Sequence, residues 1–250
     1  DIAPEDGVTT QQTDADGNLY VLAGAADSVT DLSLAGTLTV NGAGPFALNG
    51  VNEIGALVVE GHSSVQTKLS DYWFSLKSNG NHVSDFVVGG NGVNTLGQLA
   101  WRDVTQLEKV AGDWFTASWQ VGLTLSGSNT VAAPFVPPSS AFFRIKSGRT
   151  SLPFLAPSTV ELGDGSIFAV DEGATLAIGG YDHQRDYPVH FAVRGTLEVA
   201  DTLTLDGGAS LKGTGIVTAK AIASTASNNT LGGFALVPPA DGCTLSGAGT

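Results

Sequence analysis

The residues with most chemistry to offer stand together in Tyr181-Asp182-His183-Gln184-Arg185-Asp186-Tyr187-Pro188-Val189-His190. Asp182, His183, Arg185 and Asp186 make an inventory for acid–base work on a sugar ring. That chemistry asks for two carboxylates roughly 5–10 Å apart. A single loop orders its own side chains poorly, however, and catalytic groups converge as a rule from several neighbouring segments. The plainer reading is a solvated loop with an Arg185–Asp186 or Arg185–Asp182 pair, which contributes little on a surface. No residue is assigned a catalytic role.

Aromatic rings supply the second candidate. All four tryptophans, Trp73, Trp101, Trp114 and Trp119, fall in the middle of the chain, with Tyr72 beside Trp73. Flat rings stack on the apolar faces of pyranose sugars, and an exposed tryptophan is costly unless it binds something. A compact β unit also needs a core, and tryptophan fills one well. Most of the set is expected inside. Tyr72, Trp73, Trp101 and Trp114 are the candidate glycan contacts, and Trp73, flanked by Asp71, is the one expected outside.

Carboxylates raise the question of calcium. Asp14-Ala15-Asp16-Gly17-Asn18 begins like an oxygen-rich calcium loop but lacks the later ligands and the closing bidentate glutamate. Asp-Gly-Asn is equally an ordinary turn. Glu161, Asp164, Asp171 and Glu172 form a looser acidic set that solvated corners explain as well. The expected cofactor is none, with calcium the one open candidate. His62 and His82 have no partner at metal-ligand spacing, and no phosphate loop or nucleophile elbow occurs.

The elements that must position these residues are strands. Apolar residues make up 42% of the 250 and charged ones 14%, a composition that excludes wholesale disorder. Polar surface has to come from Ser, Thr, Asn and the 33 glycines, a usage typical of extracellular β-proteins. A net charge of −13 with 11 basic residues argues against a nucleic-acid partner and against anionic membrane lipid. No stretch approaches the ~20 apolar residues of a membrane-spanning helix. Cys243 is the single cysteine, so neither a disulfide scaffold nor a zinc cluster is expected. The opening Asp1-Ile2-Ala3-Pro4 looks like an end left by signal-peptide removal. The closing Leu245-Ser246-Gly247-Ala248-Gly249-Thr250 breaks off inside a repeat-like phrase, as a fragment would.

One phrase recurs: Gly36-Thr37-Leu38-Thr39-Val40, Gly55-Ala56-Leu57-Val58-Val59, Gly173-Ala174-Thr175-Leu176-Ala177-Ile178 and Gly195-Thr196-Leu197-Glu198-Val199. Asp201-Thr202-Leu203-Thr204-Leu205 is a variant, and Gly213-Thr214-Gly215-Ile216-Val217 follows. Leu38 to Leu57 spans 19 residues, Leu176 to Leu197 spans 21, and Leu197 to Ile216 spans 19. A period near 20 is one coil of a β-solenoid, which hides its apolar side only by stacking on the next coil. Alternation sends Leu197 and Val199 inward and Thr196 and Glu198 outward. An antiparallel sandwich is the competing arrangement. The only helical pattern, Val104–Gly112, is short and uncapped.

Gly195-Thr196-Leu197-Glu198-Val199 and the run Leu203 to Val217 resemble the passenger repeats of bacterial autotransporter-type surface proteins, over roughly residues 158–222 and more faintly over 28–62. That resemblance implies a right-handed parallel β-helix, export to the cell surface, and a role in adhesion or as a stalk. Pro134-Phe135-Val136-Pro137-Pro138-Ser139-Ser140-Ala141-Phe142-Phe143-Arg144-Ile145-Lys146 is similar to the closing strand of small β-sandwich modules in large secreted bacterial proteins. The expectation is an all-β chain: a coil segment over 1–62, an inserted aromatic-rich β-sandwich-like unit over 63–150, solenoid repeats over 151–222 and a final segment, a cut repeat, over 223–250. Its expected work is structural or adhesive, at a bacterial surface or in secretion, toward glycans or other surface proteins. The alternatives are a carbohydrate-active enzyme (a lyase or hydrolase, tailspike-like) with a cleft on the solenoid wall, and a carbohydrate-binding module. Open strand edges at the solenoid ends predict end-to-end self-association.

Overall fold

A computed structural model describes residues 11–13, 15–23, 27–42, 46–60, 83–102, 120–135, 142–153, 167–181 and 189–247. Among them every regular element is a strand, and no helix is long and apolar enough to cross a membrane. The chain is a parallel β-solenoid. It alternates between two sheets, and each strand pairs in parallel with the strand one coil earlier.

One sheet runs through Leu19–Ala23, Ser33–Gly42, Val51–Glu60, Val93–Arg102, Ser128–Val131, Arg149–Leu152, Thr175–Ile178, Thr196–Leu205, Ile216–Ser224 and Ala235–Leu236. The other runs through Asp27–Thr30, Phe46–Asn49, Val83–Gly89, Gln120–Leu125, Phe142–Ile145, Ile167–Val170, His190–Val193, Ser210–Gly213 and Thr230–Gly232. A single antiparallel pairing is present among the described strands: Gln11–Thr13 lies along Leu19–Ala23 at the N-terminal edge.

The repeat phrase forms these strands for the reason its alternation predicts. Leu197 and Val199 are buried between the sheets while Thr196 and Glu198 are partly exposed. Leu38 stacks on Leu57 and Leu176 on Leu197, as their spacing predicts. The third spacing is corrected by one residue. Leu197 stacks on Val217, and Ile216 stacks on Thr196 and faces outward, 43% exposed. A one-residue slip exchanges the faces of a strand, so burial of the apolar column selects the 20-residue interval. The variant phrase at 201–205 is likewise no separate repeat. It is the second half of strand Thr196–Leu205, set off by a register shift between Val199 and Thr202.

A similar shift bends Ser33–Gly42 between Leu34 and Thr37. Small residues gather at this bend because the backbones nearly touch: a Cβ on Gly55 would stand 2.0 Å from the Ala35 carbonyl oxygen.

The expected sandwich insertion over 63–150 is not what the described part of that span forms. Val93–Arg102 pairs along Val51–Glu60, and Phe142–Ile145 lies between Gln120–Leu125 and Ile167–Val170, so these are coils of the same two sheets. The aromatic side chains described there, Phe135 and Phe143, lie in the coil interior. Phe143, Phe168 and Phe191 occupy one register column, with ring centroids 5.8 and 5.4 Å apart. Phe135 and Tyr181 close on that column at 5.0 and 5.8 Å. Such pairs add about 0.5–1.5 kcal/mol each beyond their buried area.

Candidate functional site

Inside the coil, four polar side chains form a line that sequence reasoning missed. Asn52, Asn94, Asn129 and Thr150 share one register column, and each is at most 2% exposed. Asn52 Nδ2 donates to Asn94 Oδ1 at 2.7 Å, and Asn94 Nδ2 donates to Asn129 Oδ1 at 2.8 Å. Asn129 Nδ2 donates to Thr150 Oγ1 at 3.2 Å and to the Ser126 carbonyl at 3.1 Å. At the other end Asn52 Oδ1 accepts from the Leu32 amide at 2.9 Å, and Asn52 Nδ2 donates to the Asn49 carbonyl. A buried amide is tolerated only when its donors and acceptors are matched, which this line achieves. The signal was present in Gly50-Val51-Asn52, Gly92-Val93-Asn94, Gly127-Ser128-Asn129 and Gly148-Arg149-Thr150. It was hidden because asparagine after glycine reads as turn material.

On the outside of the first sheet, stacked positions carry Ser128, Arg149, Thr175, Thr196 and Ile216, and beside them Thr130, Ser151, Ala177, Glu198 and Thr218. Arg149 reaches across the intervening strand to Glu198. Nη1 donates to Oε1 at 2.9 Å and Nη2 to Oε2 at 2.7 Å, a bidentate pair. The hydrogen bond from Arg149 holds the Glu198 carboxyl below its ordinary value, and burial opposes that shift only in part. The same bond raises Arg149. Lys220 Nζ stands 3.9 Å from Asp201 Oδ1, with both side chains exposed.

The outside of the second sheet is different. Ile167, Ala169 and Ala192 are no more than 1% exposed, although their strand neighbours Phe168, Val170, Phe191 and Val193 already fill the interior. Both faces of these strands are therefore buried. Arg144 Nε donates to Asp171 Oδ2 at 2.9 Å, and Nη2 of the same arginine reaches the same oxygen. One coil further on, Ser210 Oγ lies 2.8 Å from His190 Nδ1. A hydroxyl beside an imidazole is the start of a nucleophile–base pair. Here the two are direct cross-strand partners, and the Ser210 amide is engaged with the Val189 carbonyl. Acyl transfer at Ser210 would need amide donors aimed at a developing oxyanion, and this amide is committed to the sheet. The pair is read as a lateral tie between strands.

The candidates that the sequence singles out fare unevenly. Asp182, His183, Arg185 and Asp186 lie outside the described residues, between Tyr181 and Val189, which are both buried. Tyr72, Trp73, Trp114 and Trp119 lie outside them too, as do Asp14, Glu161, Asp164 and the helical candidate over 104–112. Trp101 belongs to strand Val93–Arg102, where its Cα partner is Val59. Of the acidic corner set, Asp171 is bound by Arg144 and Glu172 stands in an exposed turn. Among the described residues no group of three or more His, Cys, Asp or Glu gathers to hold a metal.

No family model, no curated protein and no solved structure matches this chain. The class its own geometry defines is the two-sheet parallel β-solenoid.

Proposed function

We propose that this chain is a non-enzymatic structural protein, a rigid β-solenoid that displays or binds at a bacterial surface or in the surrounding medium. The observation that carries this reading is the unbroken stacking of nine strands in the second sheet. At about 4.8 Å per strand they form a rod about 40 Å long. Its described outer positions on the first sheet combine short polar side chains and a bidentate ion pair with the exposed aliphatic groups of Val51, Val93 and Ile216. Such a surface suits broad, shallow contact with glycans or with other protein chains better than the enclosed, pre-organised constellation a catalyst requires. Export accords with the polar, glycine-rich composition and the single cysteine.

The test is retention on surfaces. Beads carrying the chain should bind a glycan array or a protein-coated surface saturably, and leave polysaccharide chains intact. Release of new reducing or unsaturated ends from a polysaccharide panel would overturn the reading. So would the absence of any saturable binding.

A further inference from the structure

We propose that Asp206 is a modification site at which the backbone rearranges without an enzyme: the Gly207 amide closes on the Asp206 carboxyl to a succinimide, which reopens to isoaspartate. This chemistry is independent of the adhesive reading. It belongs to the corner of the coil between strands Thr196–Leu205 and Ser210–Gly213.

Aspartate followed by glycine is the pair this reaction asks for, because glycine puts no side chain in the way of its own amide nitrogen. Among the described residues Asp-Gly occurs at Asp16, Asp206 and Asp241. At Asp206 the Gly207 amide is turned onto the carboxyl before it and donates to Oδ1 at 2.8 Å. Holding two reacting groups about 3 Å apart is the arrangement that speeds such a closure. At Asp241 the Gly242 amide is turned away, and donates to the Pro239 carbonyl at 2.8 Å.

The surrounding coil holds the Asp206 geometry in place. Leu205 and Ala209, which flank the turn, are buried. The Leu205 carbonyl accepts from the Thr225 amide at 2.9 Å and from Asn229 Nδ2 at 2.8 Å. The Ala209 amide donates to the Asp206 carbonyl at 3.1 Å, and the Gly208 amide to Asn229 Oδ1 at 3.0 Å. Gly207 and Gly208 both have positive φ, 62° and 87°, as the central residues of a mirror-image turn require. Of the Gly207, Gly208 and Ala209 amides, only that of Gly207 is bonded to the residue just before it. Its loss to the ring breaks no bond of either sheet, and the half-buried residues 206–208 are within reach of water.

In the closing step the lone pair of the Gly207 nitrogen forms a bond to Asp206 Cγ. A Cγ–O bond breaks, and the hydroxyl of the protonated carboxyl leaves with the amide proton as water. Water then adds across one of the two C–N bonds of the ring. Opening at the main-chain carbonyl leaves the chain joined through Cγ, one atom longer at this corner, with a free α-carboxylate.

The test keeps the full wild-type chain in warm, mildly acidic buffer made with heavy-oxygen water, where more of the carboxyl carries a proton. Peptide mapping with electron-transfer fragmentation then separates isoaspartate from aspartate. Isoaspartate and heavy oxygen should accumulate at Asp206 at least tenfold faster than at Asp241, and the difference should disappear in a sample unfolded in urea. Asp206→Glu, which keeps the charge but requires a six-membered ring, should lose the signal with circular dichroism unchanged. Equal rates at Asp206 and Asp241 in the folded chain overturn the proposal. So does a folded chain whose Asp206 stays intact while the unfolded chain reacts. A difference that persists in urea overturns it as well, since the local sequence and not the fold is then its cause.

Discussion

At one interior position of the coil, the N-terminal half of the solenoid carries Asn52, Asn94, Asn129 and Thr150, while the C-terminal half carries Leu176, Leu197 and Val217. The backbone geometry is the same in both, and so is the burial. The polar half is directional. Each amide is satisfied by the coil ahead of it, so a coil displaced along the axis leaves a donor and an acceptor buried without partners. The apolar half gains by removing methyl groups from water, at about 25 cal/mol per Å², and that gain is indifferent to direction. One half therefore specifies its stacking order, and the other supplies non-directional cohesion. Thr150 forms the junction, accepting from Asn129 on one side and stacking on Leu176 on the other.

The contrast between the halves breaks most severely if the two chemistries are exchanged at a single site. Leu197→Asn puts an amide between Leu176 and Val217, neither of which can bond it, and removes a fully buried aliphatic group. The expected loss is about 4 kcal/mol, read from the urea midpoint. Asn94→Leu is the reciprocal change and should cost about 2–3 kcal/mol, since it orphans one Asn52 N–H and one Asn129 lone pair. Replacing Asn52, Asn94, Asn129 and Thr150 together by leucine removes the side-chain partners in pairs but leaves the Leu32 amide and the Asn49 and Ser126 carbonyls without theirs, and should destabilise more than Asn94→Leu alone. A smaller loss from the fourfold variant would show that the backbone groups find other partners once the ladder is gone.

The smallest effect belongs to the outer surface. The folded Glu198 carboxyl is held below its unfolded value of about 4.3, so its contribution is complete above that value and is lost as pH falls through the lower folded one. With both side chains more than a third exposed, water screens the pair, and Glu198→Gln should cost only about 0.5 kcal/mol at neutral pH. The difference between Glu198→Gln and wild type should shrink in unfolding curves as the pH is lowered below about 4.

Much of the solenoid is legible in the sequence. Leu38, Leu57, Leu176 and Leu197 stack as their intervals predict, because a coil of near-constant length brings like residues into register. The interval from Leu197 fails by one residue, since Ile216 and Val217 are both aliphatic and only the packed interior distinguishes them. The aromatic middle misleads for a related reason. Phe142-Phe143 reads as a sandwich strand, yet Phe143 falls in the same column as Phe168 and Phe191, which an irregular spacing of coils conceals. The Gly-x-Asn motif is visible but reads as a turn, because hydrogen bonds between residues 35 and 42 positions apart leave no local mark.

By itself the sequence determined that the chain is all-β, that its strands alternate, and that a unit of about twenty residues repeats. These follow from local rules: period-two hydrophobicity, glycine at corners, and the absence of a helical stripe. Tertiary structure alone decided that asparagines lie inside the coil, and that Glu198 pairs with an arginine on the second strand back. Each of these depends on which coil lies above and below, and stacking brings together residues that sequence proximity does not.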